Sequence, residues 1–280
     1  MQHILAAIDT SPYADSVVDH AAWAARRLGA SVELLHVIQR SDAVAARGDH
    51  SGAIGLAAKS GLMKELVAIN EAEARIARQQ GRALLVAAEA RLREAGIADI
   101  RQTHRHGGVI ETIIEREAEA DLVVIGKRGE QVDFNRGHLG SQLERVVRDS
   151  VSPVLVASRA FQPIETAVIA FDGGASARKA IAFLASSPLL AGVSLHIVMA
   201  GHEDSAHRKQ LDWAQTMLPQ ASVHALPGAA EDVIQELVAR TSARLLVMGA
   251  YGHSPLRNFI VGSTTTALMR ACRIPVLLFR

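Results

Sequence analysis

Two glycines three positions apart, followed after nine residues by a Gly-Ser pair, are the residues of this chain best suited to chemistry. They are Gly249 and Gly252, then Gly262, Ser263 and Thr264. Glycine lets a backbone approach a ligand with no Cβ in the way. A helix start offers unpaired N–H groups and a partial positive charge, and Ser or Thr there adds a hydroxyl. The run RLLVM before Gly249 reads as a strand, and Thr265 to Ala271 reads as a helix. Strand, two-glycine turn and helix start, in that order, make a cradle suited to phosphate oxygens. The same residues could instead form a turn and a helix cap, and glycine spacing alone does not separate the two readings.

Other chemistries fit less well. No Gly-Lys-(Ser/Thr) follows a glycine at P-loop spacing, and the Gly-x-Gly-x2-Gly dinucleotide fingerprint is missing. The stretch Asp172-Gly173-Gly174-Ala175-Ser176 does not fit the Ser-Gly-Gly-x-Asp-Ser loop of pyrophosphatase-type ATP enzymes, and no His-x-Gly-His is present. Neither Ser141 nor Ser263 sits in a Gly-x-Ser-x-Gly elbow, so capping or phosphate contact suits them better than nucleophilic attack. Twelve histidines invite a metal site. His104 and His106 are two apart and on a strand would share a face, and His202, Glu203, Asp204 and His207 crowd one stretch. Without defined ligand spacing or cysteine partners, solvated or hydrogen-bonded histidines are the better reading. Cys272 is the one cysteine, which rules out an internal disulfide, and beside an apolar strand it reads as a small buried hydrophobe.

The elements that would position the cradle occur twice. HILAAIDTS near the N-terminus and TAVIAFDGG from Thr166 are apolar runs that end in Asp9 and Asp172. Helical patterns follow, Asp15 to Leu28 and Ser176 to Leu184, then second strands, SVELLHVI and VSLHIVMA. DLVVIGKRG and RLLVMGAYG come later, and SPVLVAS and IPVLLFR close the two copies. This order of landmarks predicts a duplication, with one domain over 1–159, another over 165–280, and a break around Phe161-Gln162-Pro163. An insert-like region, Arg40 to Gly61, and a long helix, Leu62 to Ala95, enlarge the first copy; a shorter helix, Lys209 to Met217, serves the second. The stretches Ala43 to Gly55 and Gly201 to Ala206 are expected to be mobile. Continuous apolar strands alternating with amphipathic helices predict α/β domains, each a doubly wound, five-stranded parallel sheet covered on both faces. Ligands then bind beyond the carboxyl ends of the strands, where strand order reverses.

Composition agrees with buried cores and gives little else. Hydrophobic residues make up 49% and aromatics 4%, so the cores are built from Ala, Val, Leu and Ile. Thirty basic against 29 acidic residues offer no case for a nucleic-acid or membrane-surface partner. The start MQHILAAIDTS lacks the cationic segment and apolar length of a signal peptide, and no run approaches a membrane span. A cytoplasmic location is the expectation.

Gly249 to Ser263 resembles the ATP motif of the universal stress proteins, Gly-x2-Gly-x9-Gly-(Ser/Thr), without a gap. The resemblance covers nearly the whole chain as two tandem, Rossmann-like copies. It implies an ATP site, with Mg²⁺ accompanying the phosphates, in the second copy. Asp172 matches the first-loop aspartate that contacts the nucleoside, with Ala170 and Phe171 before it. Val198 falls where an apolar residue meets adenine, and Met248 precedes the first motif glycine. In the first copy Asp9 and Val37 match, but Glu130 to Leu139 put ten residues between Gly129 and Gly140-Ser141, and Glu130 and Asp133 add negative charge. That copy is expected to be degenerate. The family also implies pairing through the final strand, which in a tandem chain gives an internal pseudo-dimer; a homodimer of whole chains stays open. A regulatory adenine-nucleotide-binding protein read by protein partners is the leading expectation. A slow ATPase or phosphotransferase comes second, and a nucleotide-free scaffold third.

Overall fold

The computed structural model describes residues 2–39, 56–129, 141–201, 205–250 and 263–280. Each half of the chain runs strand, helix, strand, helix through five strands. The first half comprises β1 (His3–Ala7), α1 (Ala14–Leu28), β2 (Ser31–Ile38), α2 (Leu56–Glu94), β3 (Ile100–His106), α3 (Val109–Glu117), β4 (Leu122–Gly126), α4 (Ser141–Asp149) and β5 (Val154–Ala157). The second comprises β6 (Thr166–Ala170), α5 (Ala175–Ser186), a 3-10 turn (Pro188–Leu190), β7 (Ser194–Ala200), α6 (Ser205–Met217), β8 (Ser222–Leu226), α7 (Ala230–Thr241), β9 (Leu245–Gly249), α8 (Ser263–Ala271) and β10 (Val276–Phe279).

Within each half every strand pairing is parallel, in the order β3-β2-β1-β4-β5 and β8-β7-β6-β9-β10. The expected pair of five-stranded parallel sheets is thus present, fused into one. β5 and β10 lie antiparallel, with Val156 opposite Val276 and Val154 opposite Leu278, giving a ten-stranded sheet. Each of these closing strands is short and apolar on both faces, so it requires a neighbour on its open side.

Alternation along the strands feeds two cores. Ile4 and Ala6 join Val17, Ala21, Leu85 and Leu92 on one face, while Leu5 joins Ile110, Ile113 and Val147 on the other. This double burial explains why the central strands are uninterrupted apolar runs. The edge strands differ. β3, IRQTHRH, and β8, SVHAL, are largely half-buried or exposed and carry no such run, so no pattern in the sequence marks them. Arg101 and Arg105 on the β3 edge also discourage pairing with another sheet.

The helices start a little earlier than expected. α6 begins at Ser205 rather than Lys209, and α2 at Leu56, inside the supposed insert; residues 40–55 lie outside the described residues. α1 ends at Gly29, whose left-handed φ of 61° suits glycine. At 39 residues α2 is about 58 Å long at 1.5 Å per residue. Val67, Ile69 and Ile76 along it are exposed. Among the described residues no helix is long and apolar enough to cross a membrane.

Polar contacts bind the halves together. The Ser16 hydroxyl donates to the Ser158 carbonyl at 2.7 Å, and the His20 ring meets Phe161 edge-on at 5.0 Å, so α1 holds the segment joining β5 to β6. Arg27 donates to the Ala191 carbonyl at 2.8 Å. Lys127 Nζ, half-buried just beyond β4, donates to the Cys272 carbonyl at 2.6 Å, and Arg280 donates to the Asp149 carbonyl at 3.3 Å. Each half thus places a cation at the carboxyl end of the other half's last helix, where the helix dipole favours positive charge.

Candidate functional site

Strand order reverses between β6 and β9, since α5 and α8 leave these neighbouring strands towards opposite faces of the sheet. The site grows from Gly249, the last residue of β9. A Cβ at Gly249 would stand 2.9 Å from Ser176 Cβ and 3.1 Å from the Ala177 nitrogen, in the first turn of α5. On its other side, the Thr265 hydroxyl, in the first turn of α8, donates to the Gly249 carbonyl at 3.2 Å. Two helix N-termini therefore meet at one glycine, beyond the carboxyl ends of two adjacent parallel strands. Sequence reasoning assigned Gly249 to a ligand; its packing against Ser176, far away in the chain, gives the glycine a second and independent necessity.

The first loop follows the same plan. Ala170 ends β6, paired with Val198 of β7 on one side and Met248 of β9 on the other. Both flanking side chains are buried, beneath the site rather than open at its surface. Phe171 turns into the opposite core: its N–H donates to the Val198 carbonyl at 2.9 Å, and its ring lies 6.0 Å from that of Trp213 on α6. Of the residues in this loop, Asp172 is the one left exposed. Its carboxylate accepts from the Gly174 N–H at 2.8 Å, which shapes the turn into α5. Ser263 opens α8 and Thr264 is half-buried beside it. Gly252 and Gly262 lie outside the described residues, as do Glu130, Asp133 and Gly140 of the first copy.

The corresponding place in the first half is built alike but charged differently. A Cβ at Gly126 would come within 2.9 Å of Tyr13 Cβ, and one at Gly129 within 3.0 Å of the Asp9 carboxylate. Asp9 accepts from the Ser11 N–H at 3.1 Å, matching the Asp172 turn. Register corrects one correspondence. Ala7 pairs with Leu35 as Ala170 pairs with Val198, so Leu35 occupies the rung equivalent to Val198, and Val37 lies two residues further on. Asp15 and Glu144 occupy the first turns of α1 and α4, whereas the first turns of α5 and α8 hold no acid. The positive ends of two helices are thus partly cancelled in the first half and left intact in the second.

Histidine rings meet at both edges of the sheet, and His104 also stacks on His106 with ring centres 6.3 Å apart. His36 and His104 face each other across β2 and β3 with ring centres 5.2 Å apart, and His196 Nδ1 lies 3.1 Å from His224 Nε2 across β7 and β8. Among the described residues no group of three or more His, Cys, Asp or Glu could hold a metal ion. His202, Glu203 and Asp204 lie outside them. Cys272 is buried, and burial pushes its thiol pKa up, against the lowering effect of nearby Lys127.

Comparison with known proteins agrees with this architecture. Residues 1–158 and 199–280 match the profile of the universal stress protein family. Universal stress protein Slr1230 of Synechocystis is 36% identical over 287 aligned positions, spanning the whole of both chains. Among solved structures, a universal stress protein from Archaeoglobus fulgidus superposes with a TM-score of 0.68 at 18% identity, covering 99% of this chain and 96% of its own. A putative universal stress protein from Pseudomonas aeruginosa gives 0.63 at 17% identity, covering 100% and 93%. With two matching segments and a relative alike from end to end, the chain belongs to the universal stress protein family.

Proposed function

We propose that this protein binds an adenine nucleotide, ATP, through its second half, over 165–280, and acts as a cytoplasmic regulator whose partners read that occupancy. The reading is carried by the meeting of the α5 and α8 N-termini at Gly249, with no acid in either first turn. Such a pair of helix ends favours a polyanion. The Gly-Ser spacing through Gly262, Ser263 and Thr264 adds the family's phosphate loop, and Asp172 stands exposed for a ribose hydroxyl. Met248 and Val198 form an apolar floor. Mg²⁺ would arrive with the phosphates, which are its usual ligands, since a lone exposed Asp172 is too small a donor set to hold it.

Calorimetry with ATP and Mg²⁺ tests this on wild type, Gly252→Val and Thr266→Glu, with ADP assayed chromatographically in the same samples. Saturable binding by wild type is expected, lost in a folded Gly252→Val protein. Thr266→Glu, which copies Glu144 of the first half, should weaken it about tenfold. No binding by folded, ligand-stripped wild type would end the proposal. ADP appearing with wild type but not Gly252→Val would favour an ATPase.

A further inference from the structure

Ile110, Ile113 and Glu117 recur at helical spacing along the buried face of α3. The two isoleucines enter the core with Val146 and Val147 of α4. Glu117, one turn further on, is a carboxylate at a position only 2% exposed. Its Oε1 accepts from the Val151 N–H at 2.9 Å. Its Oε2 is buried and makes no hydrogen bond among the described residues. Ser150, next to Val151 in the chain, is 1% exposed, and its hydroxyl is likewise buried and unpartnered. The bond to Val151 therefore brings the two unsatisfied oxygens to one turn of the chain, between α4 and β5.

Two helix carboxyl ends meet there. The Ala120 N–H donates to the Glu117 carbonyl at 2.9 Å as α3 closes, and the Ser150 N–H donates to the Val146 carbonyl at 2.8 Å as α4 closes. The Ser152 hydroxyl ties the turns together, donating to the Ala120 carbonyl at 2.9 Å. Both helix ends carry partial negative charge, which adds to that of the carboxylate. The neighbouring cations are engaged elsewhere: Arg116 pairs with Glu33 and Glu119, Arg148 pairs with Asp149, and Arg280 donates to the Asp149 carbonyl. Among the described residues no ion pair reaches Glu117. A buried carboxylate with no counter-charge is costly. A neutral acid would need an acceptor for its proton, and Oε2 has none in reach.

We propose that Glu117 Oε2 and Ser150 Oγ hold a monovalent alkali cation, sodium or potassium, at the amino ends of β4 and β5. The ion supplies the missing positive charge, takes both unsatisfied oxygens as ligands and fastens the end of α3 to the end of α4. A single water would answer the hydrogen-bonding need and leave the charge unopposed. One carboxylate and one hydroxyl are too few side-chain donors for calcium or a transition metal. The site shares no residue with the nucleotide reading and stands without it.

Thermal melts of nucleotide-free protein test this in NaCl, KCl and tetramethylammonium chloride at one ionic strength, on wild type, Glu117→Gln and Ser150→Ala. Wild type should melt about 2–3 °C higher in at least one alkali salt, the shift that tenfold saturation of one site gives a chain of this size. The larger rise identifies the preferred ion. Glu117→Gln keeps an acceptor for the Val151 N–H and removes the charge, so it should lose the rise entirely. Ser150→Ala should lose part of it, and carries the test where Glu117→Gln does not fold. Equal melting temperatures for wild type in all three salts would overturn the inference. An undiminished rise in either folded variant would do the same, since it would be a general effect of salt.

Discussion

Gly249 shows how one residue can satisfy two demands. A methyl group there would meet Ser176 Cβ and the backbone of Ala177, neither of which is the free end of a side chain. Gly249→Ala should therefore lower stability by about 1–3 kcal/mol, the usual range for an overpacked site. Thermal melts of ligand-free protein will check it, since the loss must appear without nucleotide. Gly126→Ala should cost a similar amount, because Tyr13 Cβ, 2.9 Å from the new methyl, is fixed to the backbone and no side-chain rotation moves it. An unchanged melting temperature for Gly249→Ala would mean that α5 yields freely. The glycine pattern was visible in the sequence, but its meaning was divided. Nothing local reveals that Ser176 would press on Gly249, and nothing in the helix after β7 marks Gln210 as the residue that covers Gly173. Both facts depend on contacts between residues distant in the chain.

At the scale of elements, the central strands and most helices were legible because each buries an apolar face. The edge strands were not, because burial on one side only leaves them polar. Those edges carry the histidine pairs, and acidification should act on them. Burial lowers the His224 pKa, aided by neighbouring His196 and by Arg240 on α7. His104 is lowered likewise by burial, then by His36, His106 and Arg82. The unfolded chain then takes up protons at about pH 6.5, before the folded chain does. The stability these neutral histidines contribute is full above that pH and falls away as pH drops through it towards the lower folded values. His224→Gln keeps a hydrogen-bonding partner for His196 without the titration. Its melting temperature should fall less than that of wild type between pH 7.5 and pH 5.5, by a few degrees. Equal losses would show that the pair bears no part of the acid sensitivity.

Across the whole molecule, the β5–β10 pairing and the exchanged cations make the halves interdependent. Lys127 reaches the Cys272 carbonyl and Arg280 the Asp149 carbonyl, while Arg27 ties α1 to the second half. Unfolding should consequently be a single event. The two tryptophans allow a direct check, because Trp23 lies in α1 and Trp213 in α6. Urea transitions of Trp23→Phe and Trp213→Phe, each followed by the remaining tryptophan, should coincide. Lys127→Met should shift both midpoints down together, by about 1–2 kcal/mol for a hydrogen bond from a charged donor. Separate midpoints would mean that the junction is a contact and not a shared core. The two tandem copies could be read from repeated landmarks, but their fusion into one sheet rests on an antiparallel register that no spacing in the chain encodes.

That junction also bears on how the two copies can differ. When identical chains meet through their last strands, any change in one subunit appears in the other, and the site is altered twice or not at all. Here the partner is fixed in cis, always the other half and never a second copy of the same half. One half can keep bare helix ends at its loop while the other acquires Asp15 and Glu144, with no symmetric assembly to forbid it. Joining the strands within one polypeptide thus frees two like halves to diverge.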